Sequence, residues 1–372
     1  MSHIHVCLVS EQPIPNLTTV LQFKPDTVVL LNTKEMDEKA GFLEDVLKKR
    51  NYSVKTETIE AYDINNVISV SESLISKCKG CDVSLNITGG TKVGTLGTFQ
   101  AFYTSSKEIF YVDTKNNKIL QISPEQKEFP IEVSISIADY LAVYGFQINT
   151  YVKDDCYIFG RKGLTDYLAN TVISKQHVIP TINSALHEYN EKSALPISTK
   201  LPNDKRLLEL VGLLDGVRQN DKNKITISNH SSLMYLKGFW FEEYVYMTAK
   251  ALNPDEIKLN VTGKWITKGQ HPPKNEFDVM LSKGNRLFYI SCKTANPDRK
   301  VKDEDEGVGK EYIYELVSLS DRALGLFGRR MLASARQVND FAVRERAKIL
   351  KVELIDGRNI ATLKENLRQW LK

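Results

Sequence analysis

Residues 26–31 read DTVVLL, an apolar and largely β-branched run with no polar alternation, which fits a strand buried on both faces of a sheet. It is one of a series. Residues 5–9 form a short apolar strand closed by Ser10, and 53–57, 82–87 and 108–112 read as further strands. Between them, 36–49 carries Phe42, Val46 and Leu47 at helical spacing, and 67–77 and 93–103 also read as helices. Repeated strand–helix units predict an α/β domain over residues 1–145, its parallel sheet covered by helices on both faces.

Residues 146–372 follow a different rhythm and read as a second α/β domain, with a lead-in over 146–235 and a core over 236–372. Residues 164–190 look helical, 195–204 form a Pro-containing linker and 207–217 a short helix. A strongly apolar, aromatic helix is expected at 234–253, then strands at 258–262, 276–281 and 286–291. The turn SKGN, with Asn285, joins the last two into a hairpin. The charged stretch 296–311 reads as a loop, and two helical segments and a strand at 347–354 follow.

Composition narrows the class. Apolar residues at 42% and charged residues at 26% exclude a disordered chain. The 50 Lys and Arg against 46 Asp and Glu give a net charge of +4, too small for a general polyanion binder, so any nucleic-acid site must be a local patch. No apolar run approaches the roughly 20 residues of a membrane span, and MSHIHVCLVS is too short and polar for a signal peptide. Five scattered cysteines (Cys7, Cys78, Cys81, Cys156 and Cys292) suit a reducing cytoplasm.

Three groups of residues carry possible chemistry. In Asn86-Ile87-Thr88-Gly89-Gly90-Thr91-Lys92 a strand reaches a Gly-Gly turn and a helix opens at once. Glycines allow close backbone approach, and a helix N-terminus offers free N–H groups, so this corner suits an anion; a plain tight turn with a surface lysine is equally consistent. It has neither Walker A nor G-x-G-x-x-G spacing. The loop after the first strand, Ser10 to Asn16 with Pro13 and Pro15, and Thr33 after the second strand supply polar groups at neighbouring strand ends. In the hairpin, Glu276 and Asp278 are two residues apart on one strand, and Ser291 and Lys293 are two apart on the next, so each pair shares a face. Two carboxylates can hold Mg²⁺ or Mn²⁺, and a lysine beside them can stabilise charge on a phosphate. Glu242 or Glu243 on the preceding helix can complete the set; an exposed polar face is the other reading. Cys78 and Cys81 form a lone C-x-x-C, and His3, His5, His177, His187, His230 and His271 show no metal spacing.

The VSEQPIPNL and NITGGTK segments resemble the CARF domain, a Rossmann-like sensor of cyclic oligoadenylates in type III CRISPR defence. GFWFEEYVY, NEFDVML and LFYISCKT, in that order, resemble the PD-(D/E)xK restriction-endonuclease fold, and LGLFGRR resembles a segment of the same CARF-nuclease family. The resemblance implies a cytoplasmic homodimer activated by cyclic tetra-adenylate, cutting single-stranded RNA and DNA with Mn²⁺ or Mg²⁺; nicking of duplex DNA is left open. It implies Asp278 as the metal-binding aspartate, Lys293 as the triplet lysine and Glu242 as the helix glutamate. Ser291 stands where the triplet usually has an acid, so Glu276 and the backbone carbonyl of Cys292 are the candidate further metal oxygens. Ser10, Gln12, Pro13, Asn16, Thr33, Thr88, Gly89, Gly90, Thr91 and Lys92 are the implied activator contacts. Two rivals stand beside this reading. One is a ligand-responsive transcription regulator that binds duplex DNA with 195–235 as a winged helix. The other is a ring nuclease acting on the activator itself, disfavoured because no acid–base pair is visible near Gly89 and Gly90.

Overall fold

The computed structural model describes residues 1–267, 274–300 and 308–372. His271 and the centre of the charged 296–311 stretch, at 301–307, lie outside the described residues.

The N-terminal sheet has seven strands in the order β3-β2-β1-β4-β5-β6-β7. These are β1 (His3–Leu8), β2 (Thr27–Asn32), β3 (Ser53–Thr58), β4 (Asp82–Asn86), β5 (Glu108–Asp113), β6 (Lys118–Ser123) and β7 (Lys127–Pro130). The first five are parallel, and β6 and β7 add an antiparallel edge absent from the sequence reading. Side-chain alternation assigns the two faces. Cys7 and Leu30 pack with Leu17, Leu43 and Leu47, whereas Val6, Leu8, Val29 and Leu31 pack with Val67, Leu74 and Phe102. The helices Ile14–Phe23 and Asp37–Lys49 therefore cover one face, and Ile64–Lys77 and Lys92–Thr104 the other. The first of these helices begins inside the Ser10–Asn16 segment, where Pro15 fits the first turn.

Strand β8 (Phe146–Thr150) leaves the first sheet and joins the edge of another. A three-stranded antiparallel sheet follows, β9 (Ile197–Lys200), β10 (Val217–Asp221) and β11 (Lys224–Ile227), in the order β10-β11-β9. The Pro-containing linker expected at 195–204 is thus partly a strand: Ile197 turns into an apolar core and the backbone pairs with β11. The helix expected at 207–217 runs Lys205–Val211, and Val217 opens β10.

The last sheet is β16-β15-β14-β13-β12-β8, with β12 (Glu256–Trp265), β13 (Lys274–Lys283), β14 (Arg286–Lys293), β15 (Arg329–Ser334) and β16 (Val352–Ile355). The β13–β14 hairpin turns on Gly284 and Asn285 at φ 57° and 55°, the left-handed pair that a two-residue turn demands. Asn285 also grips the N-terminal part: its Oδ1 accepts the Ile135 N–H and its Nδ2 donates to the Val133 carbonyl, both at 2.8 Å. The strand expected at 347–354 is the end of the helix Phe341–Ile349 followed by β16, and β15 was not anticipated. The helix expected at 234–253 begins at His230, passes through a π turn at Tyr235–Phe239 and continues as Trp240–Lys250. One apolar core runs through both halves, from Leu17, Leu30 and Tyr140 to Phe277, Leu287 and Leu332. No described helix is long and apolar enough to cross a membrane.

Candidate functional site

Two sites emerge, one in each half. At the carboxyl ends of β1, β2 and β3 lies a cleft of about 420 Å³ lined by Ser10, Gln12, Thr33, Gly90 and Thr91, with Glu35 and Tyr62. Of the ten residues expected to meet an activator, five line this cleft. Gly90 has φ +86°, which glycine takes without strain. Thr91 caps the helix Lys92–Thr104: its hydroxyl accepts the Gly94 N–H at 3.0 Å and donates to the Ala61 carbonyl at 2.8 Å.

Of the other five, four support the loop and turn behind the cleft. Asn16 is buried; its Nδ2 donates to the Leu8 carbonyl, and its Oδ1 accepts from Asn86, both at 2.8 Å. Thr88 donates to Asn86 at 2.6 Å and accepts the Val112 N–H at 2.8 Å. A Cβ on Gly89 would meet the Leu8 carbonyl oxygen at 2.3 Å, so this glycine lets the turn lie against β1. Pro13 is buried at the start of a helix, and Lys92 is exposed beside the cleft without lining it. Glu35 and Tyr62 were missed. Tyr62 is 84% exposed just beyond β3, and an exposed aromatic at the carboxyl end of a parallel strand was the available signal.

Gln12 has a second role. Its Oε1 accepts the Leu326 N–H at 2.8 Å and the Tyr144 hydroxyl at 3.1 Å. Leu326 belongs to the LGLFGRR segment, between the helix Gly309–Ala323 and β15, and the Tyr140 hydroxyl holds the Leu324 carbonyl of the same segment at 2.8 Å. The cleft is therefore one side chain away from the C-terminal domain.

The second site lies on β13 and β14. Val279 pairs with Ile290, which sets Asp278 level with Ser291 and Glu276 level with Lys293. Strand pairing ends there, so the Cys292 N–H needs another acceptor. Asp278 supplies it: Oδ2 accepts Cys292 N–H at 2.6 Å and Ser291 Oγ–H at 3.3 Å. The Cys292 side chain belongs to the apolar core, so only its backbone is available here. The Lys293 ammonium is 3.2 Å from Glu315 and 5.2 Å from the centre of the Tyr312 ring, both on the helix Gly309–Ala323.

The two helix glutamates separate by partner. Glu243 is buried and paired with Arg161. Glu242 accepts the Asn260 Nδ2–H at 3.0 Å and feels the charges of Asp278 and Glu276. Asn260 was not expected; β12 register sets it level with Asp278, at φ +52°, and its Oδ1 is buried with no hydrogen-bond partner among the described residues. Next along, a Cβ on Gly238 would stand 3.1 Å from Thr294 Oγ1, so the π turn presses close to the end of β14.

Burial raises Glu242 well above the ordinary carboxylate range, reinforced by Asp278. It also raises Asp278, although Lys293 and the Cys292 N–H oppose it. Glu276 is exposed at the rim and is raised by partial desolvation and by Glu191. Burial pulls Lys293 down, but Asp278 and Glu315 outweigh it and the net direction is up. Among the described residues no three His, Cys, Asp or Glu side chains form a ready metal group. The donor set is nonetheless all oxygen, mutually repelling and supplemented by the orphaned Asn260 Oδ1, which fits a hard dication that would relieve the repulsion.

Comparison with known proteins follows this division. Residues 4–140 match the family described as Card1 CARF domain, and 230–372 match Card1-like, endonuclease domain. No curated protein matches the sequence. The fold is similar to that of protein VC1899 from Vibrio cholerae, with TM-score 0.86 and 24% identity over 99% of this chain and 98% of that one. It is similar to Can2 from Sulfobacillus thermosulfidooxidans in complex with cyclic tetra-adenylate, with TM-score 0.79 and 20% identity over 100% and 99%. A type III CRISPR defence DNA nuclease activated by cyclic oligoadenylate matches at TM-score 0.58 and 17% identity, over 90% of this chain and 46% of that one. A CARF domain and an endonuclease domain of one type, in this order on a shared core, place the chain in the Card1-like family of CARF-domain nucleases.

Proposed function

We propose that the chain is an endonuclease of type III CRISPR defence, switched on by cyclic tetra-adenylate and dependent on Mn²⁺ or Mg²⁺. The observation that carries this is the pairing of a polar cleft at the CARF strand ends with an Asp278–Lys293 face on the nuclease sheet. The Can2 complex supports the choice of activator. A cyclic four-nucleotide ring has rotational symmetry, so two copies of the cleft can grip it across a twofold axis. The helix Lys92–Thr104 leaves exposed Leu96, near its cleft end, and Tyr103, at its far end, apolar surface that a homodimer contact would cover.

In this reading Asp278, Glu276, Glu242 and the Cys292 carbonyl hold the dication, which when bound supplies Lewis-acid charge for phosphodiester hydrolysis. The Cys292 N–H and Ser291 hydroxyl fix the Asp278 carboxylate. Asn260 orients Glu242. Lys293, steadied by Glu315, offers its ammonium to the attacked phosphate. The substrates are single-stranded RNA and DNA.

The transcription-regulator alternative finds the β10–β11 hairpin inside 195–235, but it gives the Asp278–Lys293 face no task. The deciding experiment is cleavage of labelled single-stranded RNA and DNA with Mn²⁺, with and without each cyclic oligoadenylate. Cutting that requires both metal and cyclic tetra-adenylate supports the proposal; metal-independent duplex binding without cutting sinks it.

A further inference from the structure

A cavity of about 430 Å³ borders the catalytic face and shares Glu242 and Asn260 with it. Its remaining wall carries Tyr157 and Phe239, with Met234 and Leu259 between polar groups. Tyr157 stays 48% exposed although the Arg161 guanidinium lies 5.0 Å from its ring centre. Arg161 is the only lysine or arginine lining the cavity among the described residues, and its charge is taken up by the buried Glu243. Glu191 adds a negative charge to the lining, and the His230 ring is tied to the Ser193 carbonyl. Such a pocket offers a phosphate no unpaired lysine or arginine among the described residues and suits an uncharged, flat, aromatic group that stacks on a ring.

We propose that this cavity receives an unpaired nucleobase of the substrate strand, next to the phosphate held at Asp278 and Lys293, with Tyr157 as the stacking platform. The inference rests on the nuclease reading and adds a subsite to it. A base inside the cavity cannot be paired, so the strand must be single or locally opened at that nucleotide.

The test uses the full chain with Mn²⁺, cyclic tetra-adenylate and an end-labelled single DNA strand carrying one abasic nucleotide. Wild type should skip a phosphate at a fixed offset from the abasic position. Tyr157→Ala should cut the complete strand at least about fivefold more slowly, gain no further loss from the abasic nucleotide and keep its melting temperature, while Tyr157→Phe should behave as wild type. Uniform cutting around the abasic position by wild type, or wild-type rates in Tyr157→Ala, would overturn the pocket. If wild type cuts no strand at all, the nuclease reading fails separately. The pocket is then decided by binding in EDTA: equal affinity for complete and fully abasic strands overturns it, and an affinity loss shared by the abasic strand and Tyr157→Ala supports it.

Discussion

Gln12 and Leu326 stand 314 positions apart in sequence and meet in a 2.8 Å hydrogen bond between the Gln12 side-chain oxygen and the Leu326 backbone N–H. Gln12 lines the sensor cleft, and Leu326 follows the helix whose Glu315 holds Lys293. On the proposed reading, a ligand that moves the Ser10–Pro13 loop would pull on the segment behind Lys293. Gly325 tests this from the C-terminal side, where an added Cβ would also stand 3.1 Å from Gln12 Oε1. A Cβ there would meet Tyr144 Oη at 2.1 Å, and φ is +62°. Gly325→Ala should cost at least about 1–2 kcal/mol of stability from its left-handed backbone alone, disturb the Gln12–Leu326 contact, and lower the ratio of activated to basal cleavage by more than it lowers activator affinity. An unchanged ratio removes this contact from the activation route.

Activator binding should depend on charge at the Gly-Gly turn. Lys92→Ala should lower affinity for cyclic tetra-adenylate about tenfold or more, because a charge-assisted contact contributes roughly 1.5–3 kcal/mol. Calorimetry reads it. Equal affinity would leave recognition to the backbone N–H groups at Gly90 and Thr91 and to polar side chains in the cleft.

On the catalytic face, Asp278→Ala should abolish metal binding and cleavage together. Lys293→Ala should keep the metal and still lose cleavage by roughly 10²-fold or more, the scale of losing a group that stabilises transition-state charge. Ser291→Ala should keep most activity, since it removes only a 3.3 Å contact to Asp278. Glu276→Ala should follow Asp278→Ala; full activity there would hand the second carboxylate role to Glu242. Metal titration alongside cleavage separates these outcomes.

The raised carboxylates make stability depend on pH and metal together. A folded-state pKa raised above the unfolded value means the ionised form is disfavoured in the fold. Stability is thus lost as pH rises from the ordinary carboxylate range near 4 toward the raised values of Glu242 and Asp278. Metal-free protein should melt lower at pH 8 than at pH 5 through this contribution, and Mn²⁺ should recover part of the loss. Glu242→Gln should melt a few degrees above wild type in EDTA at pH 8, and cut less than wild type when Mn²⁺ is supplied. Calorimetric scans showing no gain would place the Glu242 penalty elsewhere.

Within the parallel part of the first sheet β2 was the most legible, because it is buried on both faces and spells a nearly uninterrupted apolar run, whereas β3 at the edge reads SVKTET and is mostly exposed. β6, which reads KILQIS, was not legible, because an antiparallel edge alternates weakly and borrows its identity from β5. The Asp278–Lys293 pairing followed from period-two spacing alone. Asn260 did not, because a left-handed residue opposite Asp278 is fixed only by strand register. Gln12 was expected at the ligand and also binds Leu326, a partner no local pattern announces. β15 was hidden because Met331 to Ala333 is too short a buried run to be told from a helix fragment.

Strand β8 begins at Phe146, three residues after the last helix of the sensor half, and pairs with β12, where Gly263 admits the Phe146 ring. The two domains are thus spliced and not tethered. A fragment starting at residue 160 would strip an edge strand and bare the backbone of β12, so such a truncation reports damage as much as loss of control. For the same reason, a natural exchange of sensors among related nucleases has to inherit this strand with the nuclease, and any recombination joint is confined to the few residues before it.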